Sequence, residues 1–252
     1  MDKNGNAYTF IFAIAMVIVV AVTLSFTATS LQPMQAENVR QEKMQNILRT
    51  FVGDSLTQDG KRVELTREIA SEVYDEFVIE ELALDMQGNP KEGEDAFKVD
   101  LAKQLPLDEE EQTYPLYVAE FNGSKYYVVP LRGTGLWDAI WGYVALKEDV
   151  NTIEGVIFDH KGETAGLGAE ITTDWFQARF ENEKIYNDSG EIVGVEVVKG
   201  YGGGDNKDDN EVDAISGATI TGDGVSKMME KRLKYYKPYF EKIKKSDNVA
   251  IR

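Results

Sequence analysis

The run Asp213-Ala214-Ile215-Ser216-Gly217-Ala218-Thr219-Ile220-Thr221 sets the hydroxyls of Ser216, Thr219 and Thr221 around two small residues, just ahead of a helical apolar pattern. Residues this small leave backbone N–H groups open at a helix start, where the helix dipole adds positive potential. The chemistry on offer is binding of an anionic phosphate, with a threonine oxygen in reach. Without a ligand the same residues read as a glycine turn and a Ser/Thr helix cap. Upstream, His160-Lys161-Gly162-Glu163-Thr164-Ala165-Gly166-Leu167-Gly168 joins glycines that let backbone approach a flat ligand to Thr164 and main-chain amides able to bond a heteroaromatic edge. Its plainer reading is a surface loop, with His160 structural or solvent-facing, since no acid–base partner for it can be identified. In Arg132-Gly133-Thr134-Gly135-Leu136-Trp137, glycine on both sides of Thr134 bends the backbone before Trp137, an anchor for the core or for a pocket wall. The spacing is not that of a P-loop or a dinucleotide fingerprint.

Composition narrows the chemistry. The 252 residues carry 27 Lys and Arg against 44 Asp and Glu, a net charge of −17. That field repels phosphate backbones, and no basic stripe interleaved with aromatics offsets it, so nucleic acid is not an expected partner. A chain with no cysteine has no disulfide, no thiol nucleophile and no sulfur to carry a cofactor. With one histidine, a Ser-His-Asp site has only His160 to build on and a metal site would be mostly carboxylate; no metal ligand is assigned. Hydrophobic residues at 42% suffice for a packed core.

These segments need elements to hold them. No charge falls between Lys3 and Glu37, and residues 8–31 are long enough to cross a membrane as a helix after a short leader, 1–7. A cleaved signal peptide and a buried core helix are the competing readings, and the flanking Lys3, Arg40 and Lys43 leave the orientation open. The soluble remainder divides into a mixed helical part, 32–115, the candidate binding domain, 116–245, and a tail, 246–252. After Pro33, Val39, Met44, Ile47, Leu48 and Phe51 fit an amphipathic helix stopped near Gly53, and Ile69, Val73, Tyr74 and Phe77 fit a second. Runs set between turn residues predict strands at Val78–Leu84, Leu116–Phe121, Lys125–Leu131, Gly142–Lys147 and Ile153–Phe158, and a further pair at Lys184–Tyr186 and Ile192–Lys199. Gly200–Gly204 reads as a flexible loop. Val225, Met228, Met229, Leu233, Tyr236, Phe240 and Ile243 mark one face of a last helix that Pro238 should kink or restart. Hairpins without βαβ alternation define the expected class as α+β: a single N-terminal transmembrane helix, then a largely antiparallel twisted sheet packed with helices.

In this order and behind one apolar segment, the three loops resemble motifs of the FMN-binding subunit family of respiratory electron-transport complexes. Arg132–Trp137 is similar to its glycine-leucine-tryptophan turn, His160–Gly168 to its His-x-x-Glu-Thr-Pro-Gly-Leu-Gly loop, and Asp213–Thr219 to its Asp-x-x-Ser-Gly-Ala-Thr flavinylation motif. Ala165 stands where the family has proline, which loosens the turn but removes no hydrogen-bonding side chain. The nearest form is the C subunit of the Na+-translocating NADH:quinone oxidoreductase, a translocase; the G subunit of Rnf-type ferredoxin:NAD oxidoreductases is the alternative, and tends to be shorter in the region between Arg40 and Glu111. The resemblance implies FMN joined by a phosphoester to Thr219, making it a phosphoryl-threonine. Thr221 is a rival acceptor that matches no acceptor position. Asp213, Ser216, Gly217 and Ala218 belong to the attachment segment, and Leu136, Trp137, His160, Glu163, Thr164, Gly166, Leu167 and Gly168 to the flavin lining. No catalytic residue is expected beyond the flavin. The implied partners are the membrane and flavin subunits of the complex, between which single electrons pass, and a flavin transferase for maturation. The implied location is the bacterial cytoplasmic (inner) membrane, single-pass, with the flavin domain on the periplasmic side. A membrane-tethered scaffold with no cofactor is the reading from another class.

Overall fold

The computed structural model describes residues 5–58 and 60–250. Residues 1–4 of the expected leader and 251–252 of the expected tail lie outside the described residues.

The first element, α1 (Asn6–Val52), contains Pro33 and continues through it, so the apolar segment and the amphipathic segment expected after Pro33 are one helix. It ends where the sequence places its stop, at Gly53, whose φ of +81° is the left-handed geometry of a helix C-cap and whose N–H reaches the Arg49 carbonyl at 3.2 Å. Among the described residues it is the one helix long and apolar enough to cross a membrane, and its apolar side chains from Phe10 to Phe26 are exposed. The chain divides into two compact units, Met1–Lys43 and Met44–Arg252. Val39, expected on a buried face, is exposed; burial begins only at Met44, Ile47, Leu48 and Phe51.

In the second unit a hairpin of β1 (Ser55–Gln58) and β2 (Lys61–Glu64) leads into α2 (Arg67–Phe77), whose first turn is capped by the Thr66 hydroxyl. Next come β3 (Val78–Leu84), the one-turn helix α3 (Leu101–Gln104), β4 (Tyr114–Phe121), β5 (Ser124–Thr134), β6 (Ala139–Leu146) and β7 (Ile153–His160). After a 3-10 turn at Gly168–Thr172 follow α4 (Asp174–Gln177), β8 (Glu196–Val198), β9 (Glu211–Asp213), α5 (Thr219–Lys234) and α6 (Lys237–Ala250). The helix restarts around Pro238 as expected. The boundaries expected at 31/32, 115/116 and 245/246 fall inside α1, β4 and α6.

Strands β3 to β7 form one five-stranded sheet in sequence order, every pairing antiparallel. The β4–β5 connection is a two-residue turn with positive φ at both Asn122 (53°) and Gly123 (79°), the mirror-image turn that matches strand twist. Alternation splits the side chains between two cores. Leu116, Val118, Val129, Leu131, Val144 and Phe158 pack with Val225, Met229, Leu233 and Phe240. On the other face Tyr117, Ala119, Tyr126, Val128 and Ala145 pack with Ile47, Leu48, Phe51, Val73 and Tyr74. With helices on both faces, each fully buried aliphatic or phenyl side chain contributes roughly 1.5–3 kcal/mol.

The strand pair expected over Lys184–Tyr186 and Ile192–Lys199 forms only in part. A turn does close at 187–190, but the two arms share a single bridge, Tyr186 to Ile192. Gly194 then turns at φ +71°, pressed so close to α5 that a Cβ would lie 2.9 Å from the Glu230 nitrogen. The chain passes beneath the helix, and β8 pairs in parallel with β9 instead.

Candidate functional site

Both ends of the segment expected to carry the attachment are fixed. It leaves β9 at Asp213, where the Arg179 guanidinium bonds the Asp213 carbonyl, lies 3.6 Å from its carboxylate and stacks on the exposed Trp175 ring at 4.7 Å. Ile215 and Ala218 are buried, pinning the backbone. Between them Gly217 turns at φ +81°, left-handed backbone that favours glycine, and a Cβ there would lie 2.8 Å from the tip of the Leu167 side chain.

Helix α5 begins at Thr219. Its N-cap is Ala218, with no side-chain cap, and the first helical bond runs from the Gly222 N–H to the Ala218 carbonyl at 2.9 Å. The amides of Thr219, Ile220 and Thr221 therefore have no carbonyl one turn back to bond, the arrangement that receives an anion. Thr219 is exposed, and its hydroxyl has no partner among the described residues. Thr221 is the opposite case: 1% exposed, donating its hydroxyl to Glu163 Oε2 at 2.6 Å.

Glu163 is where the three loops meet. Its Oε1 accepts the Trp137 N–H at 3.0 Å, and its own N–H donates to His160 Nδ1 at 3.1 Å. Burial pushes its carboxyl up, but the bonds from Thr221 and from the Trp137 and Asp138 amides, with His160 nearby, outweigh that and hold it below the ordinary glutamate range. The 161–168 loop folds about Thr164, whose carbonyl accepts the Leu167 and Ala169 N–H groups, each at 3.1 Å. Gly166 sits at φ +75° with its N–H on Glu170 Oε1. The loop thus closes without the family's proline at Ala165. Trp137 is 68% exposed, its ring N–H bonded to Thr164 Oγ1 at 3.1 Å.

These segments enclose a pocket of about 220 Å3 lined by Leu136, Glu163, Thr164, Leu167, Gly168, Gly217, Ala218 and Thr219 from the sequence expectation, with Ile220 and Thr221 added. Leu136, Leu167 and Ile220 are exposed and give it an apolar rim. Trp137 joins it through Glu163 and Thr164, whereas His160, Gly166, Ser216 and Asp213 do not line it. Arg179 was not foreseen: it reaches Asp213 from 34 positions away, and no local pattern marks such a contact. Among the described residues no group of three or more His, Cys, Asp or Glu is placed to hold a metal ion.

The FMN-binding domain model matches residues 135–234, from the β5–β6 turn to the end of α5. A solved structure of the C subunit of Na(+)-translocating NADH-quinone reductase from Parabacteroides distasonis superposes with a TM-score of 0.71 at 36% identity, covering 83% of this chain and 96% of that one. The C subunit of the same reductase from Pseudomonas aeruginosa is 28% identical over 220 residues, 80% of this chain and 81% of the relative. The Chlamydia muridarum C subunit is 39% identical over 123 residues, 44% of this chain and 39% of the relative. Fold and match together define an α+β domain of the FMN-binding type, carried with a helix able to cross a membrane. Within that class the chain belongs to the family of the C subunits of the Na(+)-translocating NADH-quinone reductase.

Proposed function

We propose that this chain is the electron-carrier subunit of a membrane NADH:quinone oxidoreductase that pumps Na+, with FMN joined by a phosphoester to Thr219. The observation that carries the reading is the contrast between two neighbouring threonines: Thr219 is open at an uncapped helix start, while the Thr221 hydroxyl is buried and engaged by Glu163. The residues present fit the group. Thr219 supplies the oxygen, the first amides of α5 receive the phosphate, and Gly217 leaves the space a side chain would fill. Leu136, Leu167 and Trp137 offer apolar surface to a flat ring, and the Thr164 loop offers its amides. A pocket of about 220 Å3 is smaller than the ~300 Å3 at which enclosing ligand sites begin, so a flavin held here keeps part of its ring at the surface.

When bound, FMN supplies one-electron transfer, and the chain sets its environment through hydrogen bonds and burial. An exposed ring edge suits exchange with partner subunits rather than with NADH or quinone directly. We take residues 116–245 as the flavin domain, α1 as the membrane anchor, and the periplasmic face as the side on which the domain works. The attachment needs a separate flavin transferase.

The test is the intact mass of the full chain, purified in detergent after co-expression with a flavin transferase, beside Thr219→Val. The expected result is an adduct of FMN less one water on the parent and none on the variant. An adduct on both moves the attachment elsewhere. None on either, with the transferase active on a control substrate, leaves a cofactor-free membrane-tethered scaffold.

A further inference from the structure

We infer that Glu163 is the positioning residue of the attachment site: its carboxylate ties the turn after β5 and the first turn of α5 into one frame, and that frame sets where Thr219 stands. The inference rests on the proposed flavin attachment and goes beyond it, because it assigns Glu163 to holding the site rather than to contacting the cofactor.

The argument begins with a helix that lacks an ordinary start. No side chain caps α5, so its first turn starts from the buried Ala218 backbone without a capping hydroxyl or carboxylate. A helix opening with free amides at the surface frays unless something outside it supplies a bond. That bond comes from Thr221, the third residue of the helix, whose hydroxyl donates to Glu163 Oε2 at 2.6 Å in a buried contact. Because the carboxylate takes the Thr221 side chain and no cap oxygen occupies the leading N–H groups, the helix is held and its amides stay open together.

The other oxygen faces the opposite wall. Oε1 accepts the Trp137 N–H at 3.0 Å, which fixes the β5–β6 turn from which Leu136 lines the pocket. Two glycines make the room. A Cβ on Gly135 would lie 2.5 Å from Oε1, and one on Gly168 would lie 2.5 Å from Oε2 and clash with the Thr221 hydroxyl. The glycines of two separate motif loops thus frame a carboxylate that only 7% of the residue's surface exposes. From behind, the Glu163 N–H is bonded to His160 Nδ1, which gives the otherwise unassigned histidine a part in orienting the loop. The Trp137 N–H can only donate, and the Thr221 hydroxyl donates here, so one carboxylate accepts from both; glutamine can keep both contacts by accepting at Oε1 and donating to the Thr221 oxygen, whereas leucine makes neither.

The test uses the full chain in detergent, as parent, Glu163→Leu, Thr221→Val and Thr221→Ser, with two readouts. Without transferase, amide hydrogen exchange is followed in peptides covering 133–139 and 216–224. With limiting transferase, the rate of FMN adduct formation on Thr219 is followed by intact mass. Glu163→Leu and Thr221→Val are expected to speed exchange in the 216–224 peptide, Glu163→Leu in both peptides, and each to slow attachment by about fivefold, the size of one lost hydrogen bond. Thr221→Ser, which keeps the hydroxyl, restores parent behaviour and shows that folding is intact. Parent-like exchange in Glu163→Leu overturns the proposal, whatever the attachment rate, because slowed attachment on an unchanged frame means that Glu163 acts on the cofactor or the transferase. If the parent acquires no flavin at all, the functional reading fails, and the flavin-free exchange still decides whether the frame exists.

Discussion

Glu163 and Glu183 are both buried glutamates, and their surroundings shift them in opposite directions. Glu163 has donors on both oxygens and is held below the ordinary range although burial opposes it. Glu183 is 1% exposed; burial pushes it up, and Lys207, 3.0 Å from Oε1, does not fully offset this while Oε2 has no hydrogen-bond partner among the described residues. A depressed carboxyl adds stability above its unfolded pKa and loses it as pH falls through the folded value. A raised one does the reverse, so the folded state loses stability as pH rises from the unfolded value to the folded one. Denaturant titrations of Glu163→Gln against the parent should show a loss of about 1–3 kcal/mol near neutral pH that closes as pH falls below about 4. For Glu183→Gln the difference should move in the variant's favour as pH rises over the range above about 4; a parallel trend in both variants would contradict the assignment. Gly168→Ala should cost about 1–3 kcal/mol by the same measurement, because the added carbon meets Thr221 and Glu163 together. At this scale the turn and helix start at Ser216–Thr219 were legible, since Ser, Gly, Ala and Thr sit side by side in the chain. The roles of Glu163 and Arg179 were not, because their partners lie 26, 58 and 34 positions away.

Elements were legible where a local pattern decided them. Leu116–Phe121 and Lys125–Leu131 are mostly apolar runs that flank Asn122-Gly123, and the β4–β5 hairpin forms there with the turn those two residues favour. The stripe Val225, Met228, Met229 and Leu233 is buried on α5 as its period requires. Met229→Ala should cost about 2–5 kcal/mol in urea denaturation, since a fully buried side chain against the sheet is replaced by a cavity. The β1–β2 hairpin was not foreseen, because its strands are polar and bury only Leu56. Nor was the β8–β9 pair, which joins three-residue strands in parallel across the glycine loop, a choice set by α5 above Gly194 rather than by the strands. Arg179→Ala should loosen this region: the guanidinium holds the Asp213 and Ala214 carbonyls, and proteolysis between 199 and 214 should quicken while β4 to β7 stay resistant. Equal nicking of parent and variant would remove Arg179 from that role.

Across the whole molecule, the uncharged run 8–31 marked an apolar helix from sequence alone, but where that helix stops being a separate unit was not visible, because Pro33 suggests a break that the backbone does not make. The division falls at Lys43–Met44, and both hydrophobic cores belong to the second unit. A chain lacking residues 1–43 should stay in the supernatant after ultracentrifugation and unfold at the parent's midpoint, whereas the full chain should sediment with membranes and resist salt and alkaline extraction. A truncated chain that unfolds well below the parent would place part of the core in the removed helix. The sequence-ordered sheet has one more consequence, and it concerns time. Strands that pair with their chain neighbours close short loops, so the sheet can assemble early, while the bond between Glu163 and Thr221 spans 58 positions and must wait for α5 to dock. The candidate site therefore forms only once α5 has docked, together with longer-range contacts such as that of the Tyr236 hydroxyl with the Pro115 carbonyl, 121 positions apart. On the proposed attachment, a chain whose α5 is still loose would give a transferase nothing to modify, which would make the flavin a mark that this docking has happened.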